Sequence, residues 1–205
     1  MKGYYFITDS SLSTKGNFSD VCNAIKAEVS FVQFREKKGA TRNLYNDALL
    51  LREQCKATAT KFIVNDRIDI AMAVDADGVH IGQDDMPLSV AREILGKDKI
   101  IGVTVHNLIE ATEAVMGGAD YLGVAPIFAT STKEDSGKPC GVELIGEIKS
   151  KFAIPVAAIG GINLDNALDV INAGADMICA ISAVVTKEDV YSEIQKFQRL
   201  FFSVP

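Results

Sequence analysis

The sequence predicts an α/β protein folded as a single (β/α)8 barrel, the TIM-barrel architecture, over residues 1–205. Three observations carry that expectation. Eight short runs dense in Val, Ile and Phe recur, at residues 4–8, 31–35, 61–65, 78–82, 100–105, 121–128, 155–162 and 177–184. Helix-like stretches lie between them, and strict strand-then-helix alternation implies a parallel sheet with right-handed crossovers. The length of 205 residues stands near the lower limit of about 200 for a closed barrel of eight such units.

Each run is apolar at almost every position, as strands covered on both faces must be. The segment 41–57 opens on Thr41 as a candidate N-cap and carries Leu44, Ala48, Leu51 and Cys55 at helical spacing. Segment 107–117 opens on Asn107 and segment 163–172 on Asn163, the latter stopping before Gly174. The last helix, 190–202, aligns Ile194, Phe197, Leu200 and Phe201 on one stripe. A doubly wound sheet is the rival arrangement, but it places a Gly-rich turn after its first strand. Here Asp9-Ser10-Ser11 follows instead.

Composition narrows the function classes. Lys plus Arg number 21 against 27 for Asp plus Glu, a formal net charge of −6. A duplex-binding protein needs a basic surplus to displace counterions from phosphates, so no nucleic-acid partner is expected. A small anionic substrate needs only a local cluster of cations. The cysteines, Cys22, Cys55, Cys140 and Cys179, form no C-x-x-C pair and read as isolated thiols of a cytosolic protein. The longest apolar stretches fall short of the roughly 20 residues of a spanning helix, and Asp9 comes too early for a signal peptide. A soluble cytoplasmic protein with no membrane partner is the expectation; whether it forms a homo-oligomer is left open.

In such a barrel the chemistry sits at the C-terminal strand ends, and the polar residues gather there. After strand 2, period-two alternation puts Gln33, Arg35 and Lys37 on one face, with Val32 and Phe34 on the helix side. That set suits a phosphorylated ligand with a polar heterocycle, or else is a solvated strand end. Asn65-Asp66 ends strand 3, and Asp85 follows strand 4. Mg²⁺ takes one or two carboxylates and keeps positions for water and phosphate, so Asp66 and Asp85 pair as ligands, or serve as a helix N-cap and a turn residue. The run Thr130-Ser131-Thr132-Lys133 lies in a polar loop suited to closing over phosphates. Gly160-Gly161 at strand 7 and Ile181-Ser182 at strand 8 fall where these barrels bind phosphate through backbone N–H groups. His80 reads as a packed, hydrogen-bonded side chain; His106, beside Thr104, is a candidate general acid/base.

Taken in order, five segments resemble the thiamine phosphate synthase family. They are Gln33-Phe34-Arg35-Glu36-Lys37, Val64-Asn65-Asp66-Arg67, the stretch 76–85, the stretch 126–133, and Ile159-Gly160-Gly161-Ile162. The resemblance implies a transferase of thiamine biosynthesis that condenses a hydroxymethylpyrimidine diphosphate with a thiazole phosphate and releases pyrophosphate. By motif it implies that Gln33 and Thr104 bind the pyrimidine and that Arg35, Lys37, Asn65 and Lys133 hold the pyrophosphate, with Arg35, Lys37 and Lys133 catalytic. Asp66 and Asp85 would ligate Mg²⁺. Thr130 and Thr132 would contact the thiazole phosphate, with Gly161, Ile181 and Ser182 at its phosphate. Phe34, Glu36 and Ser131 enter as members of the substrate-binding runs. The family usually has Ser where this chain has Thr104, and often Gly where it has Ala125. Two rivals resemble the same pattern: a thiazole tautomerase using a His near His106, and a non-catalytic regulatory barrel that binds a thiamine precursor. The first leaves Asp85 and the Thr130–Lys133 run without a task.

Overall fold

The computed structural model describes residues 1–130 and 137–202. Along the chain run β1 (Gly3–Ile7), α1 (Asn17–Lys26), β2 (Phe31–Phe34), α2 (Thr41–Lys56), β3 (Lys61–Asn65), α3 (Ile68–Ala73), β4 (Gly78–Ile81) and α4 (Leu88–Leu95). Then follow β5 (Ile100–Val105), α5 (Leu108–Met116), β6 (Tyr121–Val124), α6 (Glu143–Lys151), β7 (Val156–Ile159), α7 (Ala167–Asn172), β8 (Met177–Cys179), α8 (Ile181–Val185) and α9 (Val190–Leu200). The strands pair in parallel in sequence order, and β8 closes on β1 through Gly3–Met177 and Tyr4–Ile178. This is the (β/α)8 barrel the alternation predicts.

Alternation along each strand divides the apolar residues between two cores. Tyr5, Ile7, Phe31, Ile63, Tyr121, Ala157, Met177 and Cys179 fill the barrel interior. Their neighbours Tyr4, Phe6, Val32, Phe34, Phe62 and Val64 face outward into a larger core shared with the helices. α9 seals β1 there: the Phe197 and Tyr4 rings lie 5.3 Å apart, and Ile194, Phe197 and Phe201 are buried. Leu200, the fourth member of the stripe, is partly buried against the same core.

The N-terminal end of the barrel is tied by a device used three times. Asp77, Asp120 and Asp176 each precede an even-numbered strand. Each turns its Oδ2 to accept the N–H of the first or second residue of the odd-numbered strand before it: Phe62 at 2.9 Å, Ile101 at 2.8 Å and Val156 at 2.8 Å. A helix cation meets the same oxygen, from Arg52 at 3.1 Å, Arg92 at 2.6 Å and Lys149 at 2.9 Å. For β1 the acceptor comes from α9, where Gln198 Oε1 takes the Tyr4 N–H at 2.9 Å. These groups satisfy strand-end donors that the ladder leaves open.

Several boundaries differ from those the sequence predicts. β6 ends at Val124, not at residue 128, because Pro126 has no N–H for the ladder. Ile127 and Phe128 then donate to the Ile159 and Gly160 carbonyls, folding this segment over the end of β7. β7 stops at Ile159, since Gly160 and Gly161 take φ of 105° and 65°. The apolar run 177–184 is two elements: β8 ends at Cys179, and Ile181–Val185 wind into α8. Thr41 is the first residue of α2 rather than its cap; Ala40 occupies the cap position, and the Thr41 hydroxyl accepts from Arg67 Nη2 at 3.2 Å. Asn163 precedes a turn, accepting the Asp165 N–H at its Oδ1, and α7 begins only at Ala167. Asn107 does cap α5, its Oδ1 accepting the Glu110 N–H at 3.0 Å.

Candidate active site

A cavity of about 280 Å³ opens at the C-terminal ends of the strands, and every strand contributes to its wall. In a ring of eight, strands four places apart face one another, so the ends of β2, β3 and β4 lie across from those of β6, β7 and β8. That ring geometry gives the cavity a floor and two sides.

The first side is cationic and carboxylate. Arg35 and Lys37 line it, as the period-two reading requires, together with Asn65, Asp66 and Asp85. Arg35 is fixed from behind: its Nη1 lies 3.3 Å from Asp9 Oδ2, and its backbone N–H donates to Thr8 Oγ1 at 2.9 Å. Asp9 is nearly buried, and its other oxygen accepts from Ser11 N–H, the Ser11 hydroxyl and Leu12 N–H. An ordered guanidinium loses less side-chain entropy when it grips an anion. Asp66 adopts φ of 59°, outside the strand region, and Arg67 occupies the N-cap position of α3. Asp85 Oδ2 accepts the Gly82 N–H at 2.6 Å, which fixes the carboxylate at the rim.

The second side is backbone and hydroxyl: Gly160, Gly161, Ile162, Ile181 and Ser182. Gly161 is required there. A Cβ on it would stand 2.6 Å from the Ala129 carbonyl oxygen, and its φ of 65° suits glycine. Thr130 lines the rim. Ser131, Thr132 and Lys133 lie outside the described residues.

The floor consists of Tyr5, Gln33, His80 and Thr104, with Tyr121 behind them. Gln33 Nε2 donates to the Tyr5 hydroxyl at 2.9 Å, and the Tyr5 and Tyr121 hydroxyls are 2.9 Å apart. His80 bridges Tyr121 through Nδ1 at 2.9 Å and Thr104 Oγ1 through Nε2 at 2.8 Å. Burial holds the Tyr5 and Tyr121 hydroxyls well above the usual phenol range, and it does the same to the Cys179 thiol. These three groups are therefore uncharged at neutral pH.

Two residues of the expected substrate-binding run do not reach the cavity. Phe34 is buried in the helix-side core, since it alternates with Gln33. Glu36 turns to Ser10, whose hydroxyl donates to it, and accepts the Lys38 N–H at 3.0 Å. His106 stands at the edge with Nδ1 2.9 Å from Glu110. Sequence reasoning missed Asp9, Tyr5 and Tyr121. The signal for Tyr5 was there: it lies two residues before Ile7 on the inward face of β1.

Comparison with other proteins identifies the family. A family model described as thiamine monophosphate synthase matches residues 4–184. The thiamine-phosphate synthase of Methanosarcina mazei is 51% identical over 194 residues, 95% of this chain and 80% of that protein. The enzyme of the same name from Chloroflexus aurantiacus is 48% identical, over 96% of this chain and 91% of its own. A solved structure, thiamine phosphate pyrophosphorylase from Pyrococcus furiosus, superimposes with a TM-score of 0.90 at 40% identity, covering 98% and 96% of the two chains. The match spans all eight strands and both sides of the cavity, and the chain belongs to the thiamine monophosphate synthase family.

Proposed function

We propose that this chain is a transferase of thiamine synthesis: it joins 4-amino-2-methyl-5-hydroxymethylpyrimidine diphosphate to a thiazole phosphate, giving thiamine phosphate and pyrophosphate. The observation that carries the reading is a family match running from Tyr4 to Val184, and it is supported by a cavity with a cation-bearing wall and a glycine- and hydroxyl-bearing wall. Two phosphorylated groups meeting at one mouth is what group transfer requires.

In this reading Gln33 and Thr104 receive the pyrimidine, while Arg35, Lys37, Asn65 and Lys133 hold its diphosphate. Gly161, Ile181 and Ser182 take the phosphate of the thiazole phosphate at the far side, and Thr130 and Thr132 contact the same substrate. The C–O bond to the methylene breaks first, and its electron pair leaves on pyrophosphate. Arg35, anchored by Asp9, and the lysines stabilise that charge as it develops. The aminopyrimidine delocalises the positive methylene, and the thiazole nitrogen lone pair forms the new C–N bond. No proton changes hands, so no general base is needed.

The donor set fits Mg²⁺. Three hard carboxylates, Asp66, Asp84 and Asp85, line the cavity; we assign the ligand role to Asp66 and Asp85, and among the described residues no group of three or more His, Cys, Asp or Glu converges. Mg²⁺ accepts such a sparse set, completing its shell with water and phosphate oxygens. Bound there, it would supply further charge neutralisation to the diphosphate. A cytoplasmic setting fits small phosphorylated substrates, and no described helix is long and apolar enough to cross a membrane.

The test mixes both substrates with and without Mg²⁺ and measures thiamine phosphate. Product that depends on the metal is expected; none with metal present sinks the reading. Conversion of a thiazole carboxylate phosphate tautomer alone, lost in His106→Ala, would mark a tautomerase instead. Electron-withdrawing substituents on the pyrimidine should slow the chemical step, and an unchanged rate would refute a dissociative path.

A further inference from the structure

The five polar side chains of the floor form one file of hydrogen bonds whose two ends open into the cavity. We propose that this file has a fixed direction, that Tyr121 is the positioning residue at its centre, and that it sets the preference of the site for an amino over an oxo pyrimidine. The inference rests on the reading that Gln33 and Thr104 hold the pyrimidine.

The direction follows from counting hydrogens. Tyr5 oxygen accepts an amide hydrogen from Gln33 Nε2. A hydroxyl has one hydrogen of its own, so that of Tyr5 goes to Tyr121, 2.9 Å away. The Tyr121 hydrogen then goes to His80 Nδ1 at 2.9 Å, which must carry none. A neutral imidazole without hydrogen on Nδ1 has it on Nε2, and Nε2 donates to Thr104 Oγ1 at 2.8 Å. The hydrogen of Thr104 is left over as a donor. At the other end the Gln33 carbonyl oxygen is left over as an acceptor.

An aminopyrimidine edge matches this pair: its exocyclic N–H meets the Gln33 oxygen, and a ring nitrogen lone pair meets the Thr104 hydroxyl. A 4-oxo ring reverses both, presenting a carbonyl and a ring N–H. The ring N–H can use the second lone pair of Thr104 Oγ1, but the carbonyl faces the Gln33 oxygen; pairing it requires the Gln33 amide to turn over and all four bonds to reverse together, because any partial reversal sets two donors or two lone pairs face to face. The barrel is also built around the file. A Cβ on Gly102 would stand 2.0 Å from Tyr121 Cζ, and one on Gly123 2.7 Å from His80 Cε1. These glycines on β5 and β6 leave the space the two rings occupy.

Tyr121→Phe tests the proposal, since it removes the hydroxyl and keeps a ring packed among Tyr5, Phe31 and His80. The measurement is kcat/KM for the 4-amino and the 4-oxo pyrimidine diphosphates. In the variant the preference for amino over oxo should fall by about 5- to 150-fold, the span of one mispaired buried hydrogen bond. KM for the thiazole phosphate should stay unchanged. In a Thr104→Val background the same substitution should add little, and Thr104→Ser should keep the dependence. The ¹⁵N spectrum of His80 in the unaltered protein should show hydrogen on Nε2, with the other tautomer appearing in Tyr121→Phe. An unaltered preference in a folded Tyr121→Phe overturns the proposal while leaving the transferase reading intact. So does hydrogen on Nδ1 in the unaltered protein, whether or not the variant folds. If Gln33→Ala and Thr104→Val leave KM for the pyrimidine diphosphate unchanged, the placement of the pyrimidine fails and the proposal with it.

Discussion

Removing the Asp120 carboxylate separates the end of the barrel that holds the fold from the end that carries chemistry. In Asp120→Ala the N–H of Ile101, a fully buried residue, loses its 2.8 Å acceptor. An unpaired buried donor costs about 1–3 kcal/mol. The ion pair with Arg92 adds little, because both side chains are partly exposed, at 22% and 39%, and such pairs contribute about 0–1 kcal/mol. Arg92 also keeps its bonds to the Gly96, Lys99 and Gly118 carbonyls. The expected loss is therefore about 2 kcal/mol, a fall of about 4–8 °C in melting temperature for a chain of this size. Urea unfolding should show a lower midpoint with an unchanged slope, and turnover of the folded enzyme should be retained, since Asp120 sits at the end of the barrel opposite the cavity. Asp120→Asn keeps an acceptor for Ile101 and should lose under about 1 kcal/mol. Equal losses in the two variants would mean that the ion pair, not the hydrogen bond, carries the effect. A collapse of turnover with an unmoved midpoint would refute the division of labour altogether.

Other outcomes follow from the structure and from the proposed roles. Asp85→Asn, which keeps an acceptor for the Gly82 N–H, and Lys133→Ala should each lower turnover by about tenfold or more while the unfolding midpoint stays close to that of the unaltered protein; undiminished turnover would refute the assigned roles. Gly161→Ala puts a side chain at φ of 65° and 2.6 Å from the Ala129 oxygen, so it should cost at least about 1–2 kcal/mol in backbone strain and raise KM for the thiazole phosphate more than KM for the pyrimidine diphosphate. Burial raises the Asp20 pKa, opposed by the Ser13 hydroxyl and by Lys15. The folded state therefore holds the proton more tightly than the unfolded one, so this group's contribution to stability grows as pH falls through its folded pKa and is complete below the unfolded value of about 3.9. Unfolding curves of Asp20→Asn across pH should lack that component, and an identical profile would contradict it.

The barrel was legible because its evidence is local and repeated. Period-two alternation at Gln33, Arg35 and Lys37 pointed to the cavity, and the same alternation sent Phe34 to the helix side. A run of substrate-binding residues carried over whole from the family, Phe34 and Glu36 included, ignored that alternation. Continuous apolar character hid the break between β8 and α8, since a buried strand and a buried helix turn look alike without polar punctuation. Thr41 and Asn163 have cap chemistry, but Thr41 meets Arg67 from the next unit and Asn163 closes a turn. The floor of the site was the least legible part. Tyr5 and Tyr121 meet across 116 positions of sequence, and only closure of the barrel brings them together.

The composition of that floor fits chemistry without a base. Barrel interiors are mostly layered with branched aliphatic residues, and each polar atom placed there costs stability unless it is paired. Gln33, Tyr5, Tyr121, His80 and Thr104 meet that condition by pairing with one another, except at the two ends of the file, which face the cavity. The two phenols stay uncharged, since burial pushes both well above their ordinary pKa. An anionic base on the floor would compete with pyrophosphate for the cationic methylene and for Arg35 and Lys37. In the proposed reaction a neutral, directional floor would avoid that competition and still orient the heterocycle. Charge is kept to the rim, where Arg35 is already anchored by Asp9, so in the proposed reaction the leaving group would depart toward a guanidinium that need not reorganise. The −6 net charge of the chain is compatible with this because the rim needs only a few cations close to the breaking bond, and charges beyond about 10 Å are largely screened.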